Sequence, residues 1–178
     1  SWTVGEKLTT FFVKGDLDGS IGKVNYRGNV GLQVVGTKQS ATGVNINQAL
    51  CTGNTEATCP STTVTGGKSY TDVLPSLNVN FDIGNDQLVR FGLGKAMSRA
   101  NMGDMRATIN YNFDATKQIF TGDGGNPNLD PFRAKAIDLS YEKYFGKKGY
   151  VSVAGFYKDL DSYILKVGTP FDFKPFIG

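Results

Sequence analysis

Alternation with a period of two constrains this chain more than any other feature, because only an extended strand sends successive side chains to opposite faces. It is clearest where Leu77, Val79, Phe81 and Ile83 take turns with Ser76, Asn78, Asn80 and Asp82. The same design recurs at Val30, Leu32 and Val34 against Gly31 and Gln33, and at Val89, Phe91 and Leu93 against Arg90, Gly92 and Gly94. It returns at Ile137, Leu139, Tyr141 and Phe145 against Asp138, Ser140, Glu142 and Tyr144, with Lys143 the one intruder. Leu8 to Asp16 and Tyr150 to Tyr163 read as two more strands, blurred by Phe11-Phe12 and Phe156-Tyr157. Residue usage fits a sheet, since 23 Gly, 12 Phe and 8 Tyr stand beside 3 Met and no His. The expectation is an all-β chain of about six strands.

The predicted connections alternate in length: short at Asp18 to Lys23, long from Gln39 to Ser69, short at Gly84 to Gln87, long from Arg99 to Arg133, short at Gly146 to Gly149. This predicts three antiparallel hairpins in series. Transmembrane β-barrels join strands in this manner, by tight periplasmic turns and long extracellular loops. A compact soluble domain rarely holds two structureless connections of about 30 residues. Strand length agrees, because Val24 to Lys38 and Tyr70 to Ile83 exceed the roughly 9 to 11 residues a tilted strand needs to cross a bilayer. A soluble, secreted β-sandwich that binds carbohydrate or a surface partner is the rival reading, and an adhesin-like surface protein is a third.

Several chemistries are excluded or weakened by inventory. Without His, neither a Ser-His-Asp nor a Cys-His nucleophile can be assembled from this chain. Gly66-Gly-Lys-Ser imitates the end of a P-loop, but Thr62 stands where the first Gly belongs. Asp16-Leu-Asp-Gly resembles the start of a calcium loop without its closing Glu, and Asp-Gly is ordinary hairpin chemistry. Asp159 and Asp161 alone do not make a glycosidase pair. No catalytic, cofactor-binding or metal site is expected. The 19 basic and 16 acidic residues are scattered, without the stripe a phosphate backbone attracts, so nucleic acid is not an expected partner. No stretch approaches the roughly 20 apolar residues of a membrane-crossing helix. Cys51 and Cys59 enclose seven residues of a Thr/Gly/Asn-rich segment. They read first as a loop-closing disulfide formed in an oxidising compartment, and second as half of a metal site.

A family resemblance rests on motifs in a fixed order. Tyr70-Thr-Asp-Val-Leu-Pro-Ser-Leu-Asn-Val-Asn-Phe-Asp is followed by Leu88-Val-Arg-Phe-Gly-Leu-Gly-Lys-Ala-Met-Ser-Arg-Ala-Asn, with a corner at Ser98, Arg99 and Asn101. Gly125-Asn-Pro-Asn-Leu-Asp-Pro then leads into Asp138-Leu-Ser-Tyr-Glu-Lys-Tyr-Phe and Gly155-Phe-Tyr-Lys-Asp-Leu. Together these resemble the barrel domain of TonB-dependent outer-membrane receptors, from about Tyr70 to Ile164, with a weaker likeness in Gly28-Asn-Val-Gly-Leu-Gln-Val-Val-Gly-Thr. The flavour is that of the proteobacterial oligosaccharide receptors, and siderophore receptors share much of the pattern. The resemblance implies active transport of such a solute across the outer membrane of a Gram-negative bacterium. Its partners would be outer-membrane lipid, the rest of the barrel, a plug domain and, through the plug, the TonB complex. No plug or energy-coupling box is recognisable, and Phe176-Ile-Gly is not an aromatic-ended last strand. Residues 1–178 are therefore expected to be part of a barrel that closes with about 22 strands.

Parity assigns the side chains. Asn78, Asn80, Asp82, Arg90, Asp138, Ser140 and Glu142 are expected to face the lumen and its plug, while Leu77, Val79, Phe81, Phe91 and Leu139 face lipid. Tyr141, Tyr144, Phe145, Tyr150, Phe156 and Tyr157 are expected to form an interfacial aromatic girdle near one turn. In Gly125-Asn-Pro-Asn-Leu-Asp-Pro, Gly is expected to supply positive φ and Asn or Asp to cap backbone amides. The connection from Arg99 to Arg133 is expected to lie over the lumen and offer Arg99, Asn101, Tyr111, Asn126, Asn128, Asp130 and Arg133 to a polar ligand. Tyr111, Phe113 and Phe120 could stack on a sugar ring there.

Overall fold

A computed structural model describes residues 1–46, 59–114, 116–146, 149–170 and 172. Its strands are β1 (Trp2–Ile21), β2 (Val24–Ile46), β3 (Ser61–Gly66), β4 (Ser69–Gly84), β5 (Gln87–Ser98), β6 (Ile109–Asp114), β7 (Ile119–Gly124), β8 (Phe132–Phe145) and β9 (Gly149–Ser162). Seven of them form one antiparallel sheet, six in the order β1-β2-β4-β5-β8-β9 with β3 added alongside β2, so the three expected hairpins follow one another as a meander. No helix among the described residues is long and apolar enough to cross a membrane.

The hairpin turns are set by local chemistry. Gly22 takes φ +64 between β1 and β2, and Gly146 takes φ +54 after β8. Between β4 and β5, Asn85 and Asp86 both have positive φ (52 and 57), the requirement of a type I′ turn, whose twist matches that of the strands. Asp82 Oδ1 accepts the Gly84 N–H at 3.0 Å, beside a bulge at Ile83.

Pairing carries the sequence alternation across the sheet. One face stacks Val30, Leu77, Leu93, Ile137 and Tyr157 in one row and Val79, Phe91 and Leu139 in the next. Most of this face stays open, with Phe11 69% exposed, Leu139 54% and Leu93 45%, although Val79 is only 8% exposed; Val35 and Met105 on the other side are 5% and 1% exposed. Among the described residues no second sheet covers this apolar face, where a sandwich would pack one. Val24 to Val34 covers ten residue steps of strand, which at about 3.3 Å each and a tilt near 40° gives roughly 25 Å of height, the thickness of a barrel's outward apolar band.

Three expectations need correction. The long connections are not structureless: β3 pairs with the far end of β2, and β6 and β7 form a separate hairpin. β1 and β2 run 20 and 23 residues, well beyond the predicted segments, because Thr- and Gly-rich ends extend the ladder without apolar alternation. The aromatic girdle is split by parity. Tyr144 stacks on Tyr150 at 5.9 Å with its hydroxyl on Glu142, which places that pair on the polar face, and Phe156 shares their parity. The apolar face near the turns keeps Tyr141 and Phe145 of the expected set and adds Tyr26 and Phe81, which lie 6.5 Å apart.

Candidate functional site

The polar face is the one that the connection between β5 and β8 folds onto. Register aligns Asn29, Asn78 and Asp138 around Gly92, then Arg27, Asn80, Arg90 and Ser140, then Asn25, Asp82 and Glu142. All seven residues expected to face inward, Asn78, Asn80, Asp82, Arg90, Asp138, Ser140 and Glu142, thus share this face. Arg90 binds Glu142 through Nε at 2.8 Å and a second nitrogen at 3.1 Å. This bidentate clamp joins neighbouring strands near the turn end.

At the opposite end the same face is covered. Thr37, Gln39, Ala41 and Asn45 of β2 are buried, together with Ala100, Met105, Ala107, Thr108 and Pro131 of the connection. Asn101 opens that connection by accepting the Gly103 N–H at 2.9 Å, capping a 3-10 turn at Met102–Met105 that buries Met105. The chain then runs along β2, where the Ile109 N–H reaches Asn45 Oδ1 (3.1 Å) and the Tyr111 hydroxyl donates to the Ile46 carbonyl (3.3 Å). Arg106 pairs with Asp123 across the base of the β6–β7 hairpin.

The return segment is fastened more tightly. Gln39 Nε2 donates to the carbonyls of Leu129 (2.9 Å) and Pro127 (3.3 Å), and the Gly67 N–H donates to Asn128 Oδ1 (3.3 Å). Asn126 Oδ1 accepts the Asn128 N–H (2.9 Å), the expected capping of a backbone amide. Gly125 serves differently from expectation. It is absent from the positive-φ glycines, and a Cβ there would lie 2.6 Å and 2.7 Å from the carbonyl oxygens of Arg106 and Asp104, so what it supplies is room.

Charge completes the fastening. Lys68 Nζ meets Asp130 Oδ2 at 2.6 Å, and this hydrogen bond is the main cause that holds the Asp130 carboxyl below the usual Asp range. Arg133 reaches Asp72 through Nε at 2.6 Å and a second nitrogen at 3.4 Å, approaches Asp130 at 3.6 Å, and lies 5.6 Å over the Tyr70 ring. The pairing of β4 with β5 stops at Ser76 and Gly94, so the Arg133–Asp72 contact spans the gap above. Arg99 pairs with Glu6 of β1 at 2.6 Å, beside a cleft of about 390 Å3 lined also by Met97, Ser98, Ala100 and Met102.

The candidate ligand residues therefore fall into three places. Asn126, Asn128, Asp130 and Arg133 cluster against β4 and the segment before it; Arg99 lines the cleft, with Asn101 in the chain between its Ala100 and Met102; Tyr111 sits on the hairpin. Glu6, Gln39, Asn45, Lys68 and Asp72 join these residues without having been singled out. Four of them carried a weak signal, since they lie on the parity of the polar face, while Lys68 had none. Phe120 belongs to β7, and the side chain of Phe113 and all of Cys51 lie outside the described residues, so the Cys51–Cys59 pairing stays an expectation. Among the described residues no group of three or more Cys, Asp or Glu could hold a metal ion.

The TonB dependent receptor-like, β-barrel family profile matches residues 7–176. Among solved structures, the siderophore receptor PirA from Pseudomonas aeruginosa is similar at 16% identity and a TM-score of 0.48, over 95% of this chain and 35% of that one. The chain thus spans little more than a third of that receptor's length. No curated protein matches the chain.

Proposed function

Because this chain belongs to the TonB-dependent receptor-like β-barrel family, we propose that it forms wall and ligand-facing connections of an outer-membrane transporter that takes up a solute of the oligosaccharide or siderophore class. The observation that carries this reading is the pairing of an open apolar face with a polar face that the chain's own connection covers at one end. Such a wall separates hydrocarbon from a wet interior. In this reading Asn78, Asn80, Arg90, Asp138 and Glu142 line the lumen opposite a plug domain, and the TonB complex acts through that plug. The solute would meet the exposed edges of Asn126, Asn128 and Asp130 and the cleft beside Arg99 and Asn101, with Tyr111 on the neighbouring hairpin.

Two measurements test it. In the full-length protein, Leu139→Arg should cost about 2–4 kcal/mol of assembly stability if it faces the bilayer centre, and Ser140→Arg little. Heat-modifiable gel mobility reads the outcome, and equal tolerance of both variants would remove the membrane assignment. For transport, deletion of the gene should abolish uptake of one labelled oligosaccharide or iron chelate, as should loss of TonB. Wild-type uptake of every candidate in the deletion strain would sink the proposal.

A further inference from the structure

The apolar face ends abruptly on β1 and β2. Beyond Phe11, Val34 and Val73 the same outward parity carries Thr9, Gly36 and Thr71, then Lys7, Lys38 and Ser69, then Gly5 and Ser40. Lys38 is exposed between Thr37 and Gln39, which are 3% and 4% exposed, so it points away from the covered face. Lys7 and Lys38 are direct cross-strand partners. Their Cβ atoms therefore lie roughly 5 Å apart, where like charges repel.

A second such pair shows how the chain neutralises this arrangement internally. Lys95 and Lys135 also face each other, but Lys135 Nζ meets Asp161 Oδ1 at 2.8 Å, and Asp159 stands in register with Lys135. Among the described residues neither Lys7 nor Lys38 forms an ion pair, and no acidic residue shares their outward rows. What surrounds them are the exposed hydroxyls of Thr9, Ser69 and Thr71, and Ser40, whose Oγ donates to the Gly5 carbonyl at 3.4 Å. Gly5 and Gly36 bring no side chain, which leaves the two ammonium groups open to a headgroup. Two cations ringed by hydroxyl donors, at the edge of an apolar wall on the side of the long connections, complement an anionic lipid headgroup rather than a protein surface.

We propose that Lys7 and Lys38, with Thr9, Ser69 and Thr71, bind the phosphate of a phosphorylated lipid in the outer leaflet. The inference rests on the membrane reading above and adds to it a lipid site on the outer wall. The lysines supply the counter-charge, the hydroxyls donate hydrogen bonds to phosphate oxygens, and the acyl chains lie along Phe11, Val34 and Val73.

The test uses the full-length receptor in phosphatidylethanolamine nanodiscs with bis-phosphorylated lipid A or its dephosphorylated form, with bound lipid counted by native mass spectrometry. The phosphorylated form should bind preferentially. Lys7→Gln with Lys38→Gln should weaken it by about fivefold per lysine, or roughly 25-fold for the pair. The Lys→Arg pair should retain binding, Lys95→Gln with Lys135→Gln should leave it unchanged, and added salt should weaken it. Equal binding of the two lipid forms would overturn the proposal, as would full binding by the Gln pair or an effect confined to Lys95 and Lys135. If inorganic phosphate at the lipid's own concentration displaces it, the site is for free anions and the lipid assignment is lost. Heat-modifiable mobility of each variant separates these outcomes from failure of the barrel itself, and the Arg pair separates loss of charge from loss of fold.

Discussion

Replacing Arg133 by Ala should release the segment that returns to β8. Asp72 is 3% exposed, and Arg133, itself 22% exposed, supplies both nitrogens that contact its carboxylate. Breaking such a pair from one side typically costs about 3–5 kcal/mol, because the remaining charge stays buried without a partner. Arg133's partial exposure favours the low end, so roughly 3 kcal/mol is expected as local destabilisation. At about 1.4 kcal/mol per factor of ten, opening of the segment should become roughly a hundredfold more frequent. Amide hydrogen exchange across residues 125–133 of the full-length receptor in detergent measures this directly, and strands β4 and β8 near their turns serve as the internal reference. Combining Arg133→Gln with Asp72→Asn leaves two neutral amides in place of the buried charge and should restore most of the protection. Unchanged exchange in Arg133→Ala would refute the reasoning, as would strict additivity of Arg133→Ala and Asp72→Ala, since partners in contact should couple.

The Lys68–Asp130 contact predicts a pH dependence with a definite sign. A carboxyl held below its ordinary range contributes stability above that range and loses it as pH falls through the depressed value, so the return segment should loosen only in acid, below about pH 4. Limited proteolysis against pH should show this, and Asp130→Asn should abolish the dependence. Gly125→Ala should displace the turn from the carbonyls of Arg106 and Asp104 at a cost of about 1–3 kcal/mol. Faster exchange at the Asn126 amide, which bonds the Asp104 carbonyl at 2.7 Å, would register it, and a wild-type rate would contradict the close-approach account.

The long strands were legible because each repeats the same alternation, and pairing only had to bring equal parities together. Leu77, Leu93 and Ile137 fall in one row with no slip, since a shift by one residue would turn every apolar side chain to the polar face. β3 was not legible: Ser61-Thr-Thr-Val-Thr-Gly has no apolar face, and it is held by its ladder with β2. β6 did alternate, with Ile109, Tyr111 and Phe113 against Asn110, Asn112 and Asp114, but a strand of 6 residues inside a long connection reads as loop. At the site, Asn126 and Arg133 stood out by motif and charge. Asp72 and Gln39 did not, because their importance lies in what the connection brings to them from 61 to 90 residues away. Sequence spacing carries no trace of such contacts.

The meander has a consequence for how the wall is made. Each long strand is bonded to its sequence neighbours among the long strands, so the sheet can zip hairpin by hairpin without waiting for a distant segment. The contacts of Glu6 with Arg99 and of Asp72 with Arg133 skip intervening strands and can close only after those are laid down. They are the last stitches, and a defect in the middle hairpin, β4–β5, would leave both undone.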